Sequence, residues 1–181
     1  MLTAQGIFVQ RLLTEDAVVE SIRSHMDELL DAIPEIRDMV GFEHKHPHHH
    51  LDVWEHTLEA LRVSENDLTV RMVLLLHDIG KPHVCLEGEV RHFYGHAERS
   101  ALMGREILAR LGYAEDEIER LYRMILRHDT ALTREDVLRE PELSEKLLEV
   151  QRCDTLAHNP EKIARRLEYL ASARTFFEDT E

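Results

Sequence analysis

Side chains that bind metal ions recur in this sequence at positions where a helical pattern would place buried core residues. Five segments contribute them: His56, His77, Asp78, His96, His128 and Asp154. One histidine on an apolar helix face is usually an ordinary core residue, but six residues of ligand type on core-facing positions are difficult to explain separately. Because imidazole and carboxylate groups suit Fe, Mn, Zn, Co and Ni, the pattern predicts a metal site among packed helices.

The number of candidate ligands predicts more than one ion. A tetrahedral zinc site needs about four ligands, whereas the sequence offers six. A bridging Asp78 would allow two ions to use the whole set. Two ions about 3.5–4 Å apart can activate a shared water and hold a phosphoryl oxygen, so the set suits phosphoester hydrolysis.

Histidine is the unusual feature of the composition. The 181 residues include 13 histidines, five of them in HKHPHHH, residues 44–50. This segment either covers the predicted site or is a solvated loop, and the sequence leaves both alternatives open. The roles of four of its members are equally open: His46, His48, His49 and His50. The formal net charge of −14 disfavours an extended nucleic-acid interface but permits a small phosphorylated substrate, because bound cations reverse the local field.

The sequence carries no pattern typical of membrane or secreted proteins. No apolar run approaches the roughly 20 residues that span a bilayer. Residues 1–13 lack the basic start and cleavage site of a secretory signal. The two cysteines, Cys85 and Cys153, lack CxxC spacing, so they indicate neither a disulfide framework nor a cysteine zinc site. We therefore expect a cytoplasmic protein, and the apolar stretches FVQRLL (residues 8–13) and YLASARTFF (residues 169–177) leave a homodimer open.

The elements that must position the candidate ligands are predicted to be helices. Glycine and proline are scarce, at 7 and 5, and apolar residues recur at helical spacing. The predicted helices cover, approximately, residues 14–34, 52–61, 67–78, 96–111, 115–128, 144–158 and 160–178. The sequence therefore predicts an all-α, single-domain helical bundle over residues 1–181. Helices 14–34 and 160–178 are expected to pack on a motif-bearing core of about residues 50–160.

The stretch VLLLHDIGKP, residues 73–82, joins a core helix to the chemistry. Its apolar run leads directly into His77 and Asp78, two polar groups that are costly to bury unless something binds them. Gly80 is expected to free the backbone to turn. The loop that follows, up to Gly95, is predicted to contain a small hairpin at Glu87-Gly88.

The order of His56, the His77-Asp78 doublet and the distant Asp154 resembles the HD superfamily of metal-dependent phosphohydrolases. HDIGK (residues 77–81) is the form that gives the HDIG subgroup its name, and DVWEHTL (residues 52–58) is similar to the region before that doublet. HFYGHAERSA (residues 92–101) resembles the HD domains of bacterial transfer-RNA nucleotidyltransferases. The resemblance extends from about Leu51 to Asn159 and lacks the Gly-Ser and paired-Asp region of a nucleotidyltransferase domain, which implies a stand-alone HD domain.

The resemblance also implies a ligand set for each ion. One ion would take His56, His77, Asp78 and Asp154, and the second would take Asp78, His96 and His128. Centres of this kind often hold Fe or Mn, and Mg, Ni, Co and Zn are alternatives. The Glu-Asp pair of alarmone hydrolases is missing, which disfavours that substrate, and the Gly-Tyr-Pro segment of one cyclic di-GMP subgroup is also missing.

The resemblance implies hydrolysis of a nucleotide-like phosphoester by a metal-activated water. The substrate would be a monoester, a cyclic phosphate or a dinucleoside polyphosphate. Asp78 is expected to orient the water, and Lys81 to contact a nonbridging phosphate oxygen. Further candidate substrate contacts are His50, His92, Arg99 and Arg127. The alternative is a non-catalytic, metal-dependent nucleotide-binding or signalling module.

Overall fold

The computed structural model describes residues 1–178, which form ten α-helices and no strand. The helices, in chain order, are α1 Ala4–Thr14, α2 Val18–Ser24, α3 Met26–Ala32, α4 Val53–Arg62, α5 Leu68–Leu76, α6 His96–Leu111, α7 Glu115–Leu126, α8 Arg134–Arg139, α9 Pro141–Ala157 and α10 Ala164–Glu178. Short 3₁₀ turns occur at Pro34–Asp38, Lys81–His83 and Pro160–Lys162. The predicted all-α class is confirmed. Within the described range, no helix combines the length and the apolar character needed to cross a membrane.

Helix α5 lies at the centre of the bundle because its sequence is apolar nearly all round. Every residue from Val70 to Leu76 is buried. The one charged side chain among them, Arg71, donates hydrogen bonds to the carbonyls of Leu13 and Glu15, both at 2.8 Å. The helix packs against α1, α4, α7 and α9. The residues that follow its last turn are therefore placed inside the protein.

Helix α10 packs on α8 and α9 at one side of the bundle. The contact uses a small apolar cluster that is separate from the main core: Leu132, Leu147, Leu148, Leu170 and Ala173. This packing places the first turn of α10 next to the C-terminal end of α9, where Asp154 lies.

Two of the helices that carry candidate ligands begin at carboxylate caps. The side chain of Asp52 accepts a hydrogen bond from the backbone N–H of Glu55 at 2.8 Å, at the start of α4. Asp67 accepts from the N–H of Val70 at 3.0 Å, at the start of α5. Each cap satisfies a donor that the helix leaves unpaired and so fixes the first turn. Both start positions agree with the sequence prediction.

The predicted single helix over residues 14–34 is wrong. The chain forms α2 and α3 there, and His25 breaks them with φ −124° and ψ 32°. The apolar spacing runs on through the break, so the pattern could not reveal it. Two further helices, α1 and α8, were not predicted, and α7 ends at Leu126 rather than at His128.

Gly80 has a different role from the one predicted. Its φ of −82° and ψ of −15° are open to any residue, so the turn does not require glycine. What requires it is a close approach to α6, because a Cβ atom here would lie 2.6 Å from the backbone nitrogen of Ser100. The Gly80 N–H also donates to the Ser100 hydroxyl at 2.9 Å. The doublet turn and the helix that begins at His96 are thus held together.

The loop between that turn and α6 contains the small hairpin that the sequence predicts. Leu86 and His92 form an isolated antiparallel bridge. Their backbone groups exchange hydrogen bonds at 2.9 and 3.2 Å. The bridge fixes the segment that leads into Gly95, whose φ of +75° turns the chain into α6.

Candidate metal centre

The six candidate ligands come together at one point in the bundle. His56 lies in α4, the His77-Asp78 doublet follows α5, and His96 begins α6. His128 follows α7, and Asp154 lies in α9. Five of the six are buried, with 0–4% exposure, and His96 is half-buried.

Four of the candidate ligands form a first group: His56, His77, Asp78 and Asp154. Nε2 of His56 lies 2.9 Å from Oδ1 of Asp154 and 3.5 Å from Oδ2 of Asp78. Nε2 of His77 lies 3.2 Å from the same Asp78 oxygen and 3.7 Å from Oδ1 of Asp154. Two imidazole nitrogens and two carboxylate oxygens therefore face one another.

The other Asp78 oxygen faces a second group. Oδ1 of Asp78 lies 3.6 Å from Nε2 of His96 and 3.9 Å from Nε2 of His128. The two imidazole nitrogens lie 3.2 Å apart. Asp78 thus directs one oxygen toward each group, which is the arrangement expected of a bridging carboxylate.

Backbone carbonyls orient the four imidazole rings. The Nδ1 atoms of His77 and His128 each lie 2.7 Å from a carbonyl oxygen, and that of His96 lies 3.0 Å from one. Nδ1 of His56 lies 3.2 Å from the carbonyl of Ala157, in α9. An Nδ1–H donor to a carbonyl leaves the Nε2 lone pair free, and this tautomer is the one that binds a metal through Nε2.

The centre fits divalent cations better than it fits a metal-free polar core. Oδ1 of Asp78 and Nε2 of His77 are fully buried without a hydrogen bond of ordinary geometry, whereas Oδ2 of Asp78 has an ion pair with Lys81. Buried polar atoms of this kind normally have a partner. Two sets of donor atoms are grouped closely: one comes from His56, His77 and Asp78, and the other from Asp78, His96 and His128. Within each set, all donor atoms lie within 4.8 Å of one another. Nitrogen and carboxylate oxygen donors in such sets suit first-row divalent metals.

The electrostatics of the centre also favour a cation. Burial raises the pKa of Asp78, but the neighbouring His77 and Lys81 outweigh burial and hold that pKa well below its usual range. At Asp154, His158 and His56 outweigh burial in the same way and lower the pKa. Burial lowers the pKa of His77, but the carboxylates outweigh it and raise that pKa to about 10. Both carboxylates are therefore ionised at neutral pH, which is the form that binds a metal, and a metal ion at Nε2 of His77 would displace the proton there.

Lys81 lies beside the centre, in the short turn after the doublet. Its Nζ atom lies 2.6 Å from Oδ2 of Asp78 and 3.1 Å from Nε2 of His44. The ammonium group also lies over the ring of Phe93, 5.7 Å from its centroid. Although Lys81 is only 5% exposed, it lines the cavity above the centre.

This cavity has a volume of about 320 Å³ and opens to solvent. Its lining includes Asp78, His96, His128 and Asp154, together with Lys81 and the predicted contact His92. The other three predicted substrate contacts, His50, Arg99 and Arg127, do not line it. Arg127 instead pairs with Asp136 at 2.9 Å. A larger cavity, about 790 Å³, lies beside α9 and α10 and contains none of the six candidate ligands.

Several residues at the centre were not predicted. Arg166, in α10, places a guanidinium nitrogen 2.9 Å from Oδ2 of Asp154. His158 lies one turn beyond Asp154, and its ring centroid is 4.3 Å from that of His49. His49, His56 and His158 offer donor atoms within 4.8 Å of one another. The position of His158 four residues after Asp154 is a sequence signal that could have identified it, whereas Arg166 and His44 approach the centre only through tertiary packing.

The segment His44–His50 is divided between the site and solvent. His46 and His49 line the cavity, and buried His44 contacts Lys81. His48 and His50 are exposed. Burial lowers the pKa of His44 to about 2, so this imidazole is neutral and can accept a hydrogen bond from the Lys81 ammonium. Part of the segment therefore covers the site, and the rest is solvated.

Comparisons with known proteins give a family for the stretch that carries the candidate ligands. A model of the HD domain family matches residues 47–159, which include all six candidate ligands. The chain is similar to the A-adding tRNA nucleotidyltransferase of Deinococcus radiodurans, with 35% identity over 141 residues, 70% of this chain and 32% of that protein. It is also similar to the CC-adding tRNA nucleotidyltransferase of Thermus thermophilus, with 34% identity over 139 residues, 69% of this chain and 32% of that protein.

A third relative is the Multifunctional CCA protein of Azoarcus sp., with 36% identity over 146 residues, 77% of this chain and 33% of that protein. The chain spans about a third of the length of these curated relatives. The family match covers more than half of the chain and contains the doublet, the histidines and the final aspartate in the predicted order. The chain therefore belongs to the HD domain family.

Proposed function

We propose that this protein is a metal-dependent phosphohydrolase that cleaves a phosphoester of a nucleotide-like substrate. The observation that carries the proposal is the position of Asp78, which faces one histidine group with each oxygen and lies beside Lys81 in a cavity open to solvent. A metal-binding module without turnover would need the ligands but not a buried ammonium at the cavity wall. The motif-bearing core of about residues 50–160 would carry the activity.

The ligand residues would hold two divalent ions. His56, His77, Asp78 and Asp154 form the set for one, and Asp78, His96 and His128 form the set for the other. Divalent ions bound there, with Fe or Mn proposed first, would activate a water molecule and neutralise charge on the phosphoryl group. Four His rings held through Nδ1 by backbone carbonyls would keep the Nε2 donors in place without reorganisation.

The remaining residues would bind and orient the substrate. The Lys81 ammonium would donate to a nonbridging phosphate oxygen, because it lines the cavity beside Asp78. His44 would position Lys81 by accepting its hydrogen bond. Arg166 would add a second cation to the cavity, beside Asp154. These cations explain how a chain of net charge −14 could attract a phosphate.

The proposal is tested by screening nucleotide monoesters, cyclic phosphates and dinucleoside polyphosphates for hydrolysis with Mn, Fe, Co, Ni, Mg and Zn. Phosphate release and chromatography would identify the product. We expect ion-dependent hydrolysis by the wild type and none by the double variant His77→Ala, Asp78→Ala. Nucleotide binding without any turnover would favour the non-catalytic module. Protein purified without chelator that contains no stoichiometric metal would contradict both functions.

A further inference from the structure

The rim of the cavity carries an aromatic pair that the proposed reaction does not use. Tyr94 is 71% exposed, and every other Phe, Tyr and Trp side chain in residues 1–178 is buried or half-buried. Its ring is parallel to the imidazole of His92, with an angle of 6° between planes and centroids 5.4 Å apart. Both residues line the cavity. The two rings form a flat, solvent-accessible surface next to the candidate centre.

This surface is rigidly connected to the centre. The Leu86–His92 bridge holds one end of the segment. At the other end, the carbonyl of Phe93 accepts a hydrogen bond from Nδ1 of the candidate ligand His96 at 3.0 Å. The Phe93 side chain packs edge to face on Phe42, with centroids 6.4 Å apart, and lies under the Lys81 ammonium. Tyr94 is therefore exposed on a segment that is fixed, and its exposure is not the result of a loose loop.

The charges around the cavity divide it into two regions. Lys81 and Arg166 pair with the carboxylates of Asp78 and Asp154 at the candidate centre. Arg91 lines the cavity but is already occupied, because it pairs with Glu87 and lies 4.7 Å from the centroid of the Phe42 ring. The rim at Tyr94 thus presents an aromatic face, whereas the candidate centre presents the Lys81 ammonium and the Arg166 guanidinium beside the candidate metal ligands. A ligand that matches both regions has a phosphate at one end and a flat ring at the other.

Resting on the proposed function for its phosphate end, we propose that Tyr94 and His92 form a stacking platform for the base of a nucleoside phosphate. The base stacks on the open face of Tyr94, and its phosphate lies at the Lys81 end. A cavity of about 320 Å³ suits one small nucleotide, being near the lower end of the roughly 300–1,000 Å³ of small-molecule sites. Stacking on an aromatic ring tolerates any base, so the platform selects for nucleotides as a class.

The test compares adenosine monophosphate with ribose 5-phosphate, which lacks the base. Equilibrium affinities for both are measured by calorimetry with the metal-loaded protein, and KM is measured wherever hydrolysis occurs. The variants are Tyr94→Ala and the conservative Tyr94→Phe. Leu138→Ala is the matched control, because Leu138 is 60% exposed and lies outside the cavity lining.

We expect the wild type to bind adenosine monophosphate about tenfold or more tightly than ribose 5-phosphate, the effect usual for one stacked base. Tyr94→Ala removes most of this preference, and Tyr94→Phe and Leu138→Ala retain it. Equal affinity of the wild type for the two ligands, no binding of either, or an unchanged preference in Tyr94→Ala would overturn the platform.

The two proposals fail in different ways. Hydrolysis of both compounds with equal KM would overturn the platform and leave the phosphohydrolase function intact. Base-dependent binding that Tyr94→Ala abolishes, without turnover of any phosphoester, would support the platform and contradict hydrolysis.

Discussion

The Nε2 atoms of His96 and His128 lie 3.2 Å apart, while the Nδ1 atom of each ring lies next to a backbone carbonyl. With the ring protons on Nδ1, the two Nε2 lone pairs point toward each other. This contact is unfavourable unless a cation shares both nitrogens. The separation suits two nitrogens that bind one ion from about 2.0–2.1 Å each. In this tautomer the pair therefore favours an ion between its two nitrogens.

Replacing His96 should remove one ion and leave the other. His96→Ala takes a donor from the second group, whereas the first group keeps both of its histidines and both carboxylates. Bound metal measured by elemental analysis should fall by about one equivalent per chain. His48→Ala, which changes an exposed histidine, is the control and should lose none. A loss of both ions, or of neither, would contradict the division into two groups.

Removing Lys81 should lower turnover without removing metal. Because the Lys81 ammonium is buried beside Asp78 and lines the cavity, Lys81→Ala should reduce kcat/KM about 100-fold, as loss of one preorganised donor commonly does. Metal content, measured on the same sample, should stay within error of the wild type. Lys162→Ala provides a comparison, since Lys162 is exposed and lies outside the cavity lining. Equal kcat/KM in Lys81→Ala and wild type would rule out a substrate contact.

Chelation should lower thermal stability. A ligand present at 100 times its Kd stabilises the folded state by about 2.7 kcal/mol, which corresponds to about 5–10 °C in Tm for a chain of this length. Calorimetry of Mn-loaded protein before and after EDTA measures the shift, and it should reverse when Mn is restored. The double variant His77→Ala, Asp78→Ala should show no response to EDTA. A wild-type Tm that is insensitive to chelator would mean that no ion links the helices.

Gly80→Ala should destabilise the fold because the added methyl would collide with backbone. Its Cβ would lie 2.6 Å from the Ser100 nitrogen and 2.9 Å from the carbonyl carbon of Arg99. Overpacking of this kind costs about 1–3 kcal/mol. At Gly104 the nearest atom is the end of the Ile125 side chain, which can move, so Gly104→Ala should cost less. Urea unfolding would measure both, and the reverse order of the two costs would refute the argument.

The free energy of unfolding should depend on pH through Asp136, a carboxylate in the first turn of α8 that is not a candidate metal ligand. The Asp136 carboxylate accepts hydrogen bonds from Arg127 and from the backbone N–H and hydroxyl of Thr133. The Arg127 contact, followed by the Thr133 bonds, outweighs burial and lowers the pKa of Asp136. A carboxyl whose folded pKa is lowered stabilises the protein above its unfolded pKa, and this contribution is lost as the pH falls.

Asp136→Asn should therefore lower the free energy of unfolding by about 1 kcal/mol at pH 7. The difference from wild type should shrink as the pH falls below about 4, the ordinary pKa of an aspartate. Urea titrations at neutral and acidic pH would measure it. Glu135→Gln is the control, since Glu135 is exposed and makes only a surface ion pair. A difference that grows on acidification would have the wrong sign.

The helices that carry the candidate ligands were predictable because their signals are local. Asp52 begins α4, and Gly112 follows the end of α6 with φ +86°, so caps mark these boundaries in the sequence. The break at His25 has no such marker, since apolar residues keep helical spacing on both sides of it. Helix α1 was missed although its apolar residues were noted, because its burial depends on packing against α5 and α6.

The candidate site, too, could be predicted only in part from the sequence. Ligand-type residues on core-facing positions identified Asp154 and the histidines before any contact was known. Distances within the site and the cations contributed by other parts of the chain depend on tertiary structure. Arg166 reaches Asp154 only because α10 packs back on α9, and no periodicity encodes that contact. Arg127 looked suitable for substrate from its position beside His128, yet its guanidinium turns toward α8.

Three of the four candidate ligand imidazoles take their aim from a carbonyl just three residues upstream: Leu74 for His77, Phe93 for His96 and Ile125 for His128. The orientation of each of these three rings is therefore fixed within one short turn. The same turn in another helical protein would orient the ring in the same way. The fourth ring, that of His56, is oriented instead by the carbonyl of Ala157, which is distant in the sequence. To transfer this centre to another protein, a designer would need to reproduce the distances between the turns. The orientation of each of these three rings would already be set by the transferred turn.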